Sequence, residues 1–152
     1  GSSGYSGRSG ISGYSGSSGY SGIAGSAVPR TSVVYTTASI ANLAEETGTS
    51  TLGKTFTIMK IGTDKAAWVR VYATSADRTA DSARPITTDP TPGTGVILEV
   101  VTTGAQTIDL GPMVVGANLD GPVASLAYLA IQNRSGSSNT IEVTFTILKL
   151  ES

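Results

Sequence analysis

The chain has 152 residues, of which ten are Lys or Arg and eleven are Asp or Glu, so its formal net charge is −1. This balance provides no broad basic surface for nucleic acid or anionic lipid. The absence of Cys and His excludes disulfides, a Ser-His-Asp triad and zinc sites built from those residues. No apolar run approaches the roughly 18–20 residues of a membrane span. We therefore expect a structural or binding protein without a cofactor, without nucleic-acid binding and without membrane insertion.

Glycine occupies every third position at the start of the chain. Residues 1–27 form nine Gly-X-Y triplets, whose glycines are Gly1, Gly4, Gly7, Gly10, Gly13, Gly16, Gly19, Gly22 and Gly25. This period is the signature of the collagen triple helix, in which only glycine fits at the axis shared by three chains. A flexible Gly/Ser linker has a similar composition, but nothing requires it to keep the period. The repeat predicts a collagen-like stem in a homotrimer, about 80 Å long at roughly 3.1 Å per residue.

The triplets contain no proline. Proline pre-sets the extended backbone, so the entropic cost of ordering this stem falls wholly on the chain. We expect nine such triplets to be marginal alone and to depend on an adjoining trimeric domain that holds three strands in register.

The rest of the chain is rich in β-branched and aromatic residues. Residues 28–33 form a predicted junction, in which Pro29 ends the triplets, and residues 34–152 form a predicted knob. Turn signals recur at intervals suited to short strands, and the fold class is all-β, an antiparallel sandwich or jelly roll. The predicted strands are Val33–Ile40, Thr55–Ile61, Ala67–Thr74, Val96–Thr102, Thr107–Leu110, Ser125–Asn133 and Thr140–Leu150.

One helix is predicted, over residues 75–83, with Ser75 as its cap and Pro85 beyond its end. Arg78 and Arg84 stand in or beside it, together with two aspartates, as the densest charge cluster of the chain. Arginines on a loop bind sugar or phosphate oxygens, so we name these two as candidate receptor contacts. The alternative, which the spacing favours, is solvated pairing between neighbouring helix turns.

Two further groups of side chains are candidates for chemistry. Glu45 and Glu46 are adjacent and are expected in a solvated loop between strands, where carboxylates rarely flank a bond as glycosidases require. Trp68, Arg70 and Tyr72 alternate along one strand face. That face could stack on sugar rings, but a Trp on an alternating strand more often lies in a core or at a subunit contact. The aspartates near turns do not match the spacing of a calcium loop.

A Gly-X-Y stem that leads into a compact β domain resembles the collagen-like fibre proteins of tailed bacteriophages. The GYSG and GISG triplets carry this likeness in the stem. In the knob it is carried by residues 70–74, 83–90, 95–101, 133–136 and 144–148. The resemblance implies a virion structural protein, the distal part of a homotrimeric fibre on tail or capsid. It also implies contacts with other virion proteins through the upstream part, and a knob that binds host-surface glycan without catalysis.

Two other classes of protein remain open. A tailspike enzyme that cleaves polysaccharide would use carboxylates alone, which the composition permits, although such enzymes tend to be longer. A bacterial collagen-like surface protein would have the same stem without any virion.

Overall fold

The computed structural model describes residues 27–152, which form eight strands and one short helix. The predicted stem, with all nine glycines of its repeat, lies outside the described residues except for Ala27. The strands are β1 (Thr31–Thr36), β2 (Glu45–Ser50), β3 (Thr55–Thr63), β4 (Ala67–Tyr72), β5 (Val96–Val101), β6 (Gln106–Ala117), β7 (Ala127–Asn133) and β8 (Glu142–Glu151). The helix α1 spans Ser75–Ala80, between β4 and β5. The prediction of an all-β domain is confirmed.

The strands form two antiparallel sheets of four. The first sheet has the order β1-β8-β3-β6, and the second has the order β2-β7-β4-β5. Apart from β4 and β5, consecutive strands of the chain belong to different sheets, so the chain crosses repeatedly from one layer to the other. This connectivity places strands that are distant in sequence beside each other, such as β1 beside β8.

One hydrophobic core lies between the sheets. Alternation along β8 directs Val143, Phe145 and Ile147 into this core, as the period of two in the sequence predicts. The second sheet contributes β-branched and aliphatic residues in the same way, including Val69 and Val71 of β4. Since both sheets supply fully buried side chains to one cluster, they pack face to face.

Strand β4 is buried on both faces. Its Val69 and Val71 contact the core, whereas Trp68, Arg70 and Tyr72 lie on the opposite face, beneath α1 and the loop that follows it. We call residues 74–95, which lie over this outer face of the second sheet, the covering segment. The sheet therefore has a polar layer on one side and the apolar core on the other.

The sequence predicts seven of the eight strands and misses β2. The expectation of a loop at Glu45 and Glu46 is wrong, because both residues begin β2 and pair with β7. Strand β1 starts at Thr31, inside the predicted junction. Strand β6 continues past Leu110 to Ala117, because the chain stays paired with β3 on both sides of a register shift near Met59.

Candidate functional site

Helix α1 begins at a threonine that the sequence prediction passed over. Thr74 is the N-cap, and its hydroxyl accepts a hydrogen bond from the backbone N–H of Asp77 at 3.0 Å. The prediction of Ser75 as the cap is wrong by one residue. The helix ends at Ala80, three residues short of the predicted end, and Asp81 is its C-cap. Its short length places Asp81 against the sheet, where the carboxylate is buried.

Asp81 is the centre of a buried polar cluster under the covering segment. One carboxylate oxygen accepts from Arg84 Nε at 2.7 Å, and the other accepts from Arg84 Nη2 at 3.0 Å. The second oxygen also accepts from the Tyr72 hydroxyl at 2.6 Å. This two-pronged contact between carboxylate and guanidinium is the strongest geometry available to such a pair. It fixes the loop after α1 to the sheet.

Arg70 extends the cluster along β4 and is fully buried. Its guanidinium donates to Glu45 of β2 and lies 3.5 Å from Asp81 Oδ2. The same group lies 3.8 Å from the centre of the Trp68 ring, in a cation–π contact. Its Nε has no hydrogen-bond partner in the described part of the chain. Burying an arginine requires such partners, because an isolated charge is costly to remove from water.

Glu99 of β5 closes the cluster on its other side. It accepts from Arg84 Nη2 at 2.9 Å and from Trp68 Nε1 at 2.7 Å. Strand pairing places Glu99 directly opposite Arg70. Two arginines are thus held among three carboxylates, with Trp68 between them. The alternation of Trp68, Arg70 and Tyr72 was visible in the sequence, but the carboxylates that join them come from β2, β5 and the end of α1.

The cluster shifts the pKa values of its members. Burial would raise the pKa of Asp81, but hydrogen bonds from Arg84 and Tyr72 and the nearby positive charges lower it below its ordinary value. Burial and the hydrogen bond to Asp81 raise the pKa of Tyr72. The hydrogen bond to Asp81 likewise raises the pKa of Arg84. At neutral pH the Asp81 carboxylate and the Arg84 guanidinium are therefore ionised, and the Tyr72 hydroxyl is neutral.

The two predicted receptor contacts have different environments. The Arg84 side chain is only 7% exposed and is occupied by Asp81 and Glu99. Arg78 is half-buried, donates to the Gly48 carbonyl at 2.7 Å and lies 5.2 Å from the Tyr128 ring centre. The structure thus corrects the favoured interpretation of solvated helix pairs, since the Asp81–Arg84 pair is buried. Trp68 and Tyr72 are 2% and 0% exposed, so this strand face has no free aromatic surface for a sugar.

The accessible feature beside the cluster is a groove between the covering segment and β5. Its volume is about 360 Å³, and residues 90–99 line it. Glu99 is the one charged residue of this lining, which otherwise consists of proline, glycine, threonine and aliphatic side chains. Such a surface can pack against an apolar face of a ligand and offer hydroxyl groups at its rim. The sequence predicted this stretch as a turn followed by the strand Val96–Thr102.

No family model matches the chain, and no curated protein matches it in sequence. Within residues 27–152, no group of three or more acidic side chains is arranged to hold a metal ion. The same part of the chain has no helix with the length and hydrophobicity needed to traverse a membrane.

Proposed function

We propose that this chain is the distal part of a homotrimeric phage fibre, on tail or capsid, and that its β domain is a terminal knob. The observation that carries the proposal is the series of nine Gly-X-Y triplets leading directly into a compact β domain. A glycine at every third position is required only where three chains share an axis. The upstream end of the fibre would contact other virion proteins.

We further propose that the knob is a jelly roll. Eight antiparallel strands in the orders β1-β8-β3-β6 and β2-β7-β4-β5 match the two-sheet arrangement of that architecture, which occurs in viral capsid and lectin domains. The architecture supports the proposal only by analogy, since one fold serves many functions.

In this proposal the knob recognises a host-surface glycan without cleaving it. The carboxylates of the buried cluster support this view, because Glu45, Asp81 and Glu99 are each occupied by an arginine. A carboxylate in such a pair is a poor proton donor, whereas a glycosidase acid needs a raised pKa. Three knobs on one rod would bind by multivalency, which raises the effective concentration without strong single contacts.

We place the glycan contact at the groove lined by residues 90–99. Arg84 would hold one side of this groove in position through its ion pair with Glu99. Replacing exposed Thr91 with Trp would fill the groove and should weaken adsorption of the virions to host cells. Exposed Thr140 lies outside this groove, so Thr140→Trp is the matched control. Equal adsorption of both variants and the wild type would exclude the groove as the contact.

The fibre role itself is tested by two measurements on the whole chain. Antibody against the knob should label purified virions at the tips of fibres, and the sedimenting mass should equal three chains. A stable monomer would contradict the trimer. Labelling of bacterial surfaces instead of particles would favour a cellular collagen-like protein, and carbohydrate release from host envelope would favour a tailspike enzyme.

A further inference from the structure

The outer face of the first sheet carries an exposed apolar surface. Met113, Val115 and Leu150 are 50%, 64% and 52% exposed, and half-buried Leu148 lies among them. Val115 and Leu148 are the two direct cross-strand partners of Thr57, so the three side chains lie in one row on the same face. We call Met113, Val115, Leu148 and Leu150 the apolar face.

Charged residues lie around the apolar face and not at its centre. Lys60 and Asp109 form an exposed pair at 2.8 Å on one side, and Lys54 and Glu151 form another at 3.8 Å on the other side. The row between them, from Leu148 through Thr57 to Val115, contains no charge. An apolar centre with a polar rim is the usual composition of a protein–protein interface.

The apolar face lies at the end of the knob where the chain enters. One row across the sheet consists of four residues, each paired with the next: Thr31, which is the first residue of β1, then Ile147, Ile58 and Val114. This row of the sheet is adjacent to the row of Leu148 and Val115. The Gly-X-Y repeat ends at residue 27, and four residues span at most about 14 Å. Three chains held together at the end of a triple helix therefore bring three copies of this end of the sheet close to one axis.

Strand β6 adds an unpaired edge to this surface. It is 12 residues long and lies at the edge of the first sheet, where one side of its backbone has no partner strand among residues 27–152. Long edge strands are usually protected by charge or by a covering element, because they promote association. Met113 and Val115 project from this strand and carry no charge. Both features favour an interface over a solvated surface.

We propose that the apolar face, with the β6 edge beside it, is the surface through which three copies of the knob pack around the fibre axis. This inference rests on the proposed trimeric fibre and names the residues that make the contact. The occupant of the surface is a second copy of this chain, because the triplet repeat demands two further copies and the short junction brings them to this end.

The test uses the complete chain with two matched substitutions. Val115→Glu should reduce the sedimenting mass from three chains to one, because it would bury three unpaired carboxylates near the axis. Leu43→Glu is the control, since Leu43 is also an exposed aliphatic residue, at 58%, but lies at the opposite end of the knob. Far-UV circular dichroism of both variants should match the wild type, which separates dissociation from unfolding.

Cysteine substitution provides a second measurement that does not depend on disrupting the interface. The chain has no cysteine, so Val115→Cys and Leu43→Cys each introduce a single reactive position. A short bismaleimide should link Val115→Cys chains into dimers and leave Leu43→Cys chains single. A wild-type monomer would refute the fibre proposal and this interface together. A wild-type trimer in which Val115→Glu stays trimeric and Val115→Cys is not linked would refute the interface alone.

Discussion

At the scale of single residues, Asp81 connects the end of α1, the loop that follows it and strand β4. It is the C-cap of α1, holds Arg84 by two hydrogen bonds and accepts a third from Tyr72. Its pKa is lowered because these bonds and charges outweigh burial. A residue in this position stabilises the covering segment only while it is ionised.

We predict that Asp81→Asn lowers the free energy of unfolding at neutral pH by about 3 kcal/mol, since it leaves two buried arginines without their shared carboxylate. Asp89→Asn is the control, because Asp89 is exposed in the same segment and should change stability by less than about 0.5 kcal/mol. Urea denaturation at one fixed protein concentration measures both, since association also contributes to apparent stability. Equal stability of the two variants would contradict the central role of Asp81.

The same carboxylate should make stability depend on pH. A group whose pKa is lowered in the folded state contributes stability above its unfolded pKa of about 3.9, and this contribution disappears as the pH falls through the folded value. The difference between wild type and Asp81→Asn should therefore shrink as the pH is lowered below about 4. Denaturation curves over this range would show it, and a constant difference would be inconsistent with a lowered pKa.

At the scale of elements, β6 depends on a glycine at the contact between the two sheets. A Cβ at Gly116 would lie 2.7 Å from the Phe56 ring and 2.8 Å from Ile97 Cγ2. Phe56 is fully buried, so the ring has little room to move. We predict that Gly116→Ala costs about 1–3 kcal/mol of stability through overpacking.

Gly104→Ala is the matched control for this prediction, because a Cβ there meets nothing within 4 Å. The thermal denaturation midpoint of Gly116→Ala should be lower than that of the wild type, whereas the midpoint of Gly104→Ala should not be lowered. Similar midpoints for the two variants would mean that the sheets separate easily at this contact.

The elements also show what the sequence could predict. Alternation of apolar and polar residues located β8 and β4 because one face of each strand contacts the core. Strand β2 has the sequence EETGTS, which lacks that alternation, and its two glutamates are bound by Arg70, Tyr35 and the backbone of residue 38. Partners so distant along the chain leave no local pattern. The buried cluster could not be predicted from the sequence for the same reason, because the position of Glu99 opposite Arg70 depends on strand register.

At the scale of the whole molecule, the proposed stem and the β domain would have different sources of order. The knob has a packed core, whereas each triplet of the repeat can gain stability only from two other chains. We expect the knob to assemble first and to hold the stem in register, because the proline-free triplets bear the full entropic cost of ordering. The trimer would then persist when the stem is weakened.

We predict that Gly13→Ala lowers the temperature at which the triple-helical signal of the complete chain is lost, because a methyl group does not fit at the shared axis. Ser15→Ala is the control, since the last position of a triplet would face outward in a triple helix. Circular dichroism of the polyproline-type signal and sedimentation should be recorded together. Both variants should remain trimers. Identical melting of the two stems would argue against a triple helix.

The position of β1 would have a mechanical consequence in the proposed fibre, where the Gly-X-Y segment would enter the β domain at Thr31. Strand β1 lies antiparallel to β8 over six residue pairs, from Thr31–Ile147 to Thr36–Glu142. The hydrogen bonds of an antiparallel pair are perpendicular to the strands. In the proposed fibre, tension along the stem would therefore pull β1 along its length and load these bonds in shear, all at once. A strand held in this way resists detachment better than one peeled away bond by bond, so the knob would transmit force to the stem without losing its first strand.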